Sequence, residues 1–208
     1  SLSVGDGGIP NTKNTAELAD ISIAKLLIGV DTNGPGGSGY VYTSQDVASL
    51  KPFAEYDTYQ SHAWGYYNKL QSYGVARDGI YTSVGVGAKT VEQLSSPPIY
   101  DNVPTVIDAA GVLLEPSNRK AVIQYNQGEA DTTEGTDPEV WKASVKSLLK
   151  DNVETRIKAQ LGVSSVDTYL VQLSKGNTHP SGGYAIANAQ LEYVLENDGA
   201  HLAVSPWF

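Results

Sequence analysis

The stretch AVIQYNQGEADT, residues 121–132, holds a dense group of polar side chains: an apolar run passes into Gln127, Gly128, Glu129 and Asp131. An amide, a glycine and two carboxylates within five residues could line a reacting group. The amide donates hydrogen bonds, the glycine lets backbone approach closely, and the carboxylates accept. Turns also favour Gly and Asp, so a plain strand-to-loop exit accounts for the same residues. The side-chain inventory narrows the chemistry. There is no Cys, which excludes disulfides, thiolate catalysis and cysteine metal sites. The three histidines, His62, His179 and His201, show no paired spacing such as H-x-x-x-H, so neither a zinc centre nor any other metal site is expected.

Apolar runs alternate with segments of helical period. Strands are expected over 24–30, 79–84, 120–126, 168–174 and 200–205, and helices over 56–72, 104–114, 138–161 and 184–197. The helix over 138–161 has the clearest signature. Asp137 can cap it, Pro138 suits its first position, and Gly162 ends it. Between them Val140, Trp141, Val145, Leu148, Leu149, Val153, Ile157 and Leu161 recur at three and four. The helix over 56–72 would carry an aromatic face of Tyr59, Trp64 and Tyr67, with His62 in a structural role. Such alternation implies an α/β fold, a parallel sheet of about five strands covered by helices on both faces. Ligands of such sheets sit at the carboxyl ends of the strands. The glycines of the turn GVGAKT, Gly85 and Gly87, would leave the second strand on the same edge as Gln127–Asp131 leave the third.

Composition sets the partners. The 208 residues suffice for one sizeable domain, 1–208. No apolar run approaches the ~20 residues of a membrane helix. A formal net charge of −9, with only 14 Lys and Arg, argues against nucleic acid or an anionic membrane as partner. A neutral glycan suits the balance better. Thirteen Tyr and three Trp provide flat, polar-edged rings on which sugars stack, although Tyr is also an ordinary strand and surface residue. There is no Met, even at position 1, and the 208 residues are expected to be a piece of a longer chain.

Three segments, SLSVGDGG at 1–8, SVGVGAKTVEQL at 83–94 and YNQGEADT at 125–132, together resemble the SGNH hydrolases. The likeness is to the branch of sialate O-acetylesterases, acetylxylan esterases and phage tail esterases. In that branch a G-Q-S segment carries the nucleophilic serine, a glycine turn supplies an oxyanion donor, and a Q-G-E-S/A-D segment lines the same hole. The resemblance places Ser1 on the nucleophile, Gly87 on the turn glycine, and Gln127, Gly128, Glu129 and Asp131 on the third motif. It implies a three-layer, flavodoxin-like α/β/α fold and a carbohydrate O-acetylesterase without cofactor or metal. The partner would be an acetylated glycan. The protein would be extracellular, either secreted or virion-associated, and a homo-oligomer if it is a phage tail component. Gln127 would donate to the oxyanion, whereas Glu129, which would repel it, would hold loops together or fix the nucleophile loop.

The family places its base in an Asp-x-x-His block after the fifth strand. On this alignment that block, like the Gly-Gln before the nucleophile, falls outside the 208 residues, with the preferred base beyond Phe208. His179, in NTHPSGGY, competes for the role. Gly176 stands where the aspartate should be, and His179 follows the fourth strand instead of the fifth, which favours a loop or substrate-rim histidine. His201 lies within a strand as a packed or edge residue. Two other classes stay open. Ser1 at a processed terminus could use its own α-amine as base, although that fold needs layered antiparallel sheets. A non-catalytic glycan-binding or virion structural module could also keep an esterase scaffold.

Overall fold

A computed structural model of the chain describes residues 24–28, 51–52, 72–74, 79–82, 84, 89–114, 119–173 and 183–203. In chain order the strands are β1 (Ala24–Ile28), β2 (Lys51–Pro52), β3 (Gly79–Thr82), β4 (Ala121–Tyr125), β5 (Val166–Val171) and β6 (Ala200–Ala203). The helices are α1 (Val91–Leu94), α2 (Asn102–Leu113), α3 (Glu129–Glu134), α4 (Pro138–Val145), α5 (Thr155–Leu161) and α6 (Gly183–Glu196), with a π-helical stretch, Lys146–Glu154, between α4 and α5. The architecture is α/β. Among the described residues the strands form two three-stranded sheets, ordered β2-β1-β3 and β4-β5-β6. The second sheet is wholly parallel, whereas β1 runs parallel to β3 and antiparallel to β2. The helix expected over 56–72 lies outside the described residues apart from Ser72.

The long helix forms where its caps and period place it. Asp137 accepts from the backbone N–H of Glu139 and Val140 at 2.9 and 3.2 Å, Pro138 follows, and Gly162 closes the run at φ +65°. Its middle nonetheless winds as a π-helix, which spacing of three and four does not distinguish from an α-helix. Backbone angles stay in the right-handed helical region at both junctions, Lys146 and Thr155, so the rod is continuous.

Consecutive parallel strands joined by right-handed crossovers carry both connecting helices on one face. The burial pattern agrees. Tyr125, Val166, Thr168 and Leu170 are buried, and all but Thr168 share one core cluster with Trp141, Val145, Leu149, Ile186 and Tyr193. The opposite strand face presents Val122 (49% exposed), Gln124, Asp167, Tyr169 (40% exposed) and His201. The coverage of both faces expected from sequence is thus not seen among the described residues.

The helices are fastened to one another by charge and by close approach. Lys142 of α4 meets Glu192 and Glu196 of α6, each at 3.0 Å. Arg156 of α5 grips Asp108 of α2 through two bonds, at 2.9 and 2.5 Å. A side chain at Gly111 of α2 would come within 3.1 Å of the Gln160 carbonyl, so glycine permits that approach. Arg119, just before β4, donates to the carbonyls of Gly111, Leu114 and Leu161, closing the C-terminal ends of α2 and α5.

Candidate functional site

At the carboxyl end of β4, Tyr125 hands over to Asn126, Gln127 and Gly128, all buried, and α3 begins at Glu129. Gly128 is required twice over. Its φ is +137°, and a Cβ there would lie 2.8 Å from Leu173 Cδ1 and 3.0 Å from Ile186 Cγ2. Its carbonyl accepts from the backbone N–H and hydroxyl of Thr132, at 2.8 and 2.9 Å, which folds the chain into α3.

Gln127 is 5% exposed, and its amide is fully engaged. Oε1 accepts from the Tyr125 hydroxyl at 3.0 Å and from Trp141 Nε1 at 3.3 Å. Nε2 donates to the Lys89 carbonyl at 3.1 Å and to Asp131 Oδ2. The indole N–H can only donate, so the amide is oriented with its oxygen toward Trp141. Burial, reinforced by the negative charge of Asp131, holds the Tyr125 phenol well above its ordinary value, and it stays a neutral donor.

Asp131 is fully buried. Besides Gln127, its Oδ2 accepts from the Val91 backbone N–H at 3.0 Å, and its Oδ1 accepts from the Thr136 hydroxyl at 3.0 Å. Three donors thus meet a carboxylate that burial would otherwise penalise heavily. Lys89–Val91 itself is shaped by a capping box. The Thr90 hydroxyl accepts from the Gln93 backbone N–H at 3.3 Å, and Gln93 Oε1 accepts from the Thr90 N–H at 3.1 Å. In sequence this segment follows the glycine-containing residues 85–88, which lie outside the described residues. Lys89 and Val91 on one side thus meet Gln127 and Asp131, at the exit of β4, on the other.

The end of β5 joins the same junction. Gln190 of α6 is fully buried and donates to the carbonyls of Gln127 and Val171 at 3.1 and 3.3 Å, while accepting from the Leu173 N–H at 2.8 Å. Beside the junction opens a shallow groove lined by Lys89, Glu92, Gln93, Ser96, Pro97 and Ile99.

Of the residues singled out from sequence, Gln127, Gly128 and Asp131 come together here. Ser1, Gly87 and His179 lie outside the described residues. Glu129 is exposed on the first turn of α3, and the loop-joining role expected of it falls to Asp131. With both Nε2 hydrogens accepted inside the fold, the Gln127 side chain has no N–H free for an oxyanion in this conformation. Its amide braces the junction. Trp141 and Gln190 belong to the junction without having been singled out from sequence for it. The signal for Gln190 was an amide on an otherwise apolar helix face. His201 stands on the exposed strand face, its ring 4.8 Å from that of Tyr169 and its Nε2 3.5 Å from Asp167 Oδ1. Among the described residues no three His, Asp or Glu side chains converge as a metal would require, and no helix is long and apolar enough to cross a membrane.

No family model, curated protein or solved structure matches this chain.

Proposed function

We propose that the chain is the body of a serine esterase of the SGNH type that removes O-acetyl groups from a carbohydrate. The observation that supports this most is the junction at the carboxyl end of β4. There the segment after the glycine turn is bonded to Gln127 and Asp131 of the Q-G-E-A-D motif. That is the meeting of loops an oxyanion site requires. In this proposal all five longer strands continue as one parallel sheet in a three-layer, flavodoxin-like fold.

Ser1 attacks the acetyl carbonyl, and the backbone N–H groups of Ser1 and Gly87 stabilise the tetrahedral oxyanion. The sugar hydroxyl leaves with a proton from a histidine, and water then releases acetate from the acyl-enzyme. Gln127, Gly128 and Asp131 build the platform beneath these donors. The groove beside Lys89 mixes polar groups with Pro97 and Ile99, a lining suited to a neutral sugar ring. The glycan and the extracellular or virion-associated setting are part of the same proposal.

In the intact protein, Ser1→Ala is expected to lower kcat for acetate release from an aryl acetate by roughly a thousandfold or more. Folding should be unaffected. Retained activity would move the nucleophile, with Ser3 the next serine to replace. His179→Ala tests the base. A modest change in kcat puts the histidine elsewhere, and a loss equal to that of Ser1→Ala makes His179 the base. One observation favours a second proposal, a non-catalytic glycan-binding or virion structural module: the Gln127 amide is wholly consumed inside the fold. Glycan binding without acetate release in the intact protein would decide for it.

A further inference from the structure

We propose that Asp131 is a positioning residue for this site, acting through the backbone of Lys89–Val91 and not through contact with substrate. The proposal rests on the esterase reading. Asp131 is fully buried, so its carboxylate cannot meet a ligand. One of its oxygens holds the Val91 N–H directly, at 3.0 Å. The same oxygen accepts from Gln127 Nε2, which also holds the Lys89 carbonyl at 3.1 Å. A single carboxylate–amide pair thus fastens two of the three residues that lead out of the glycine stretch.

Neither member of the pair can swing away. Thr136 holds the other carboxylate oxygen at 3.0 Å. Tyr125 and Trp141 hold the amide oxygen from the far side. Hydrogen bonds to an ionised acceptor are shorter and stronger than neutral ones, so the clamp is stiffer than an ordinary turn. Stiffness at this place matters for chemistry, because a donor displaced by about 1 Å from a developing charge costs on the order of a hundredfold in rate.

The replacements Asp131→Ala and Asp131→Asn separate positioning from direct catalysis. Asparagine keeps the shape and can set its carbonyl oxygen where Oδ2 stands, facing Val91 and Gln127, with its amide toward the Thr136 hydroxyl. Alanine removes the acceptor altogether. In the intact protein assayed with an aryl acetate, Asp131→Ala is expected to lose about a hundredfold in kcat with KM within about threefold, and Asp131→Asn to stay within about tenfold of the parent. Amide hydrogen exchange at Val91 should quicken at least about tenfold in the alanine variant and little in the asparagine variant.

Equal losses in kcat for the two variants would make the charge itself catalytic and overturn the proposal. So would an unchanged kcat in an alanine variant whose Val91 amide exchanges faster. Val91 exchange indifferent to Asp131→Ala would sink the clamp. An intact parent that releases no acetate from the aryl acetate would instead sink the esterase reading.

Discussion

At the scale of single residues, the junction is held by a neutral amide lying against a carboxylate, and that pairing tolerates no second charge. Gln127→Glu would face Asp131 Oδ2 and the Lys89 carbonyl with an acceptor in place of a donor. Breaking a buried charged arrangement in this way costs about 3–5 kcal/mol near neutral pH. The new carboxyl would have a raised pKa in the folded state, through burial and the neighbouring Asp131. Its penalty is therefore small below the unfolded value of about 4.3 and grows as pH rises above it. Urea unfolding of parent and variant near pH 4 and near pH 7 (about one value on each side of that boundary) should show a wider gap at the higher pH. A gap independent of pH would mean that the amide and the carboxylate are not in contact. Sequence was informative here in part. It singled out Gln127 and Asp131, but their partners are the backbone oxygen of Lys89 and the backbone N–H of Val91, 38 and 40 residues away. Backbone groups leave no side-chain signature, so those bonds follow only from how the strands are arranged.

At the scale of elements, most strands and helices form where hydrophobic period and caps put them, and the differences have local causes. The apolar run at the end of β5 suggests a strand as far as residue 174, yet the ladder stops at Val171 because Gln190 takes the Leu173 N–H that a longer ladder would use. The short helix α3 was expected as loop. Its six residues carry no apolar period, and the Gly128 carbonyl, holding Thr132, starts it instead. Arg119 shows how two elements are ended together, since one guanidinium serves three carbonyls from α2 and the end of α5. Arg119→Ala leaves those carbonyls without the charged donor and is expected to lower stability by about 1–3 kcal/mol. Arg119→Lys should recover only part of this, because an ammonium on a flexible stem cannot span three acceptors as a planar fork does. Chemical denaturation of the three proteins checks both statements. A lysine variant as stable as the parent would show that charge alone closes these helix ends.

At the scale of the whole molecule, pH should act through buried phenols at the alkaline end. Burial, then the negative charges of Glu154 and Asp151, push Tyr193 from its ordinary 10 up to about 12, and Tyr125 is raised as well, mainly by burial. A folded-state value above the unfolded one means that the proton is held more tightly in the fold. The associated stability is fully present below pH 10 and is lost as pH climbs from 10 toward 12. Tyr193→Phe keeps the ring in the core and removes the titration. The stability difference between parent and variant should be flat from about pH 7 to 9 and change above that range. A difference that stays constant to pH 12 would show that Tyr193 ionises without opening the core. Gln190 has a consequence for how that core comes apart. One amide fully inside the protein holds the carbonyls that end β4 and β5 together with the N–H of Leu173. Loosening either strand end takes a partner from the same buried side chain, so each end resists fraying singly. They open as one cooperative unit, a foldon whose boundary runs through α6 and whose opening free energy is shared by segments more than forty residues apart in the chain.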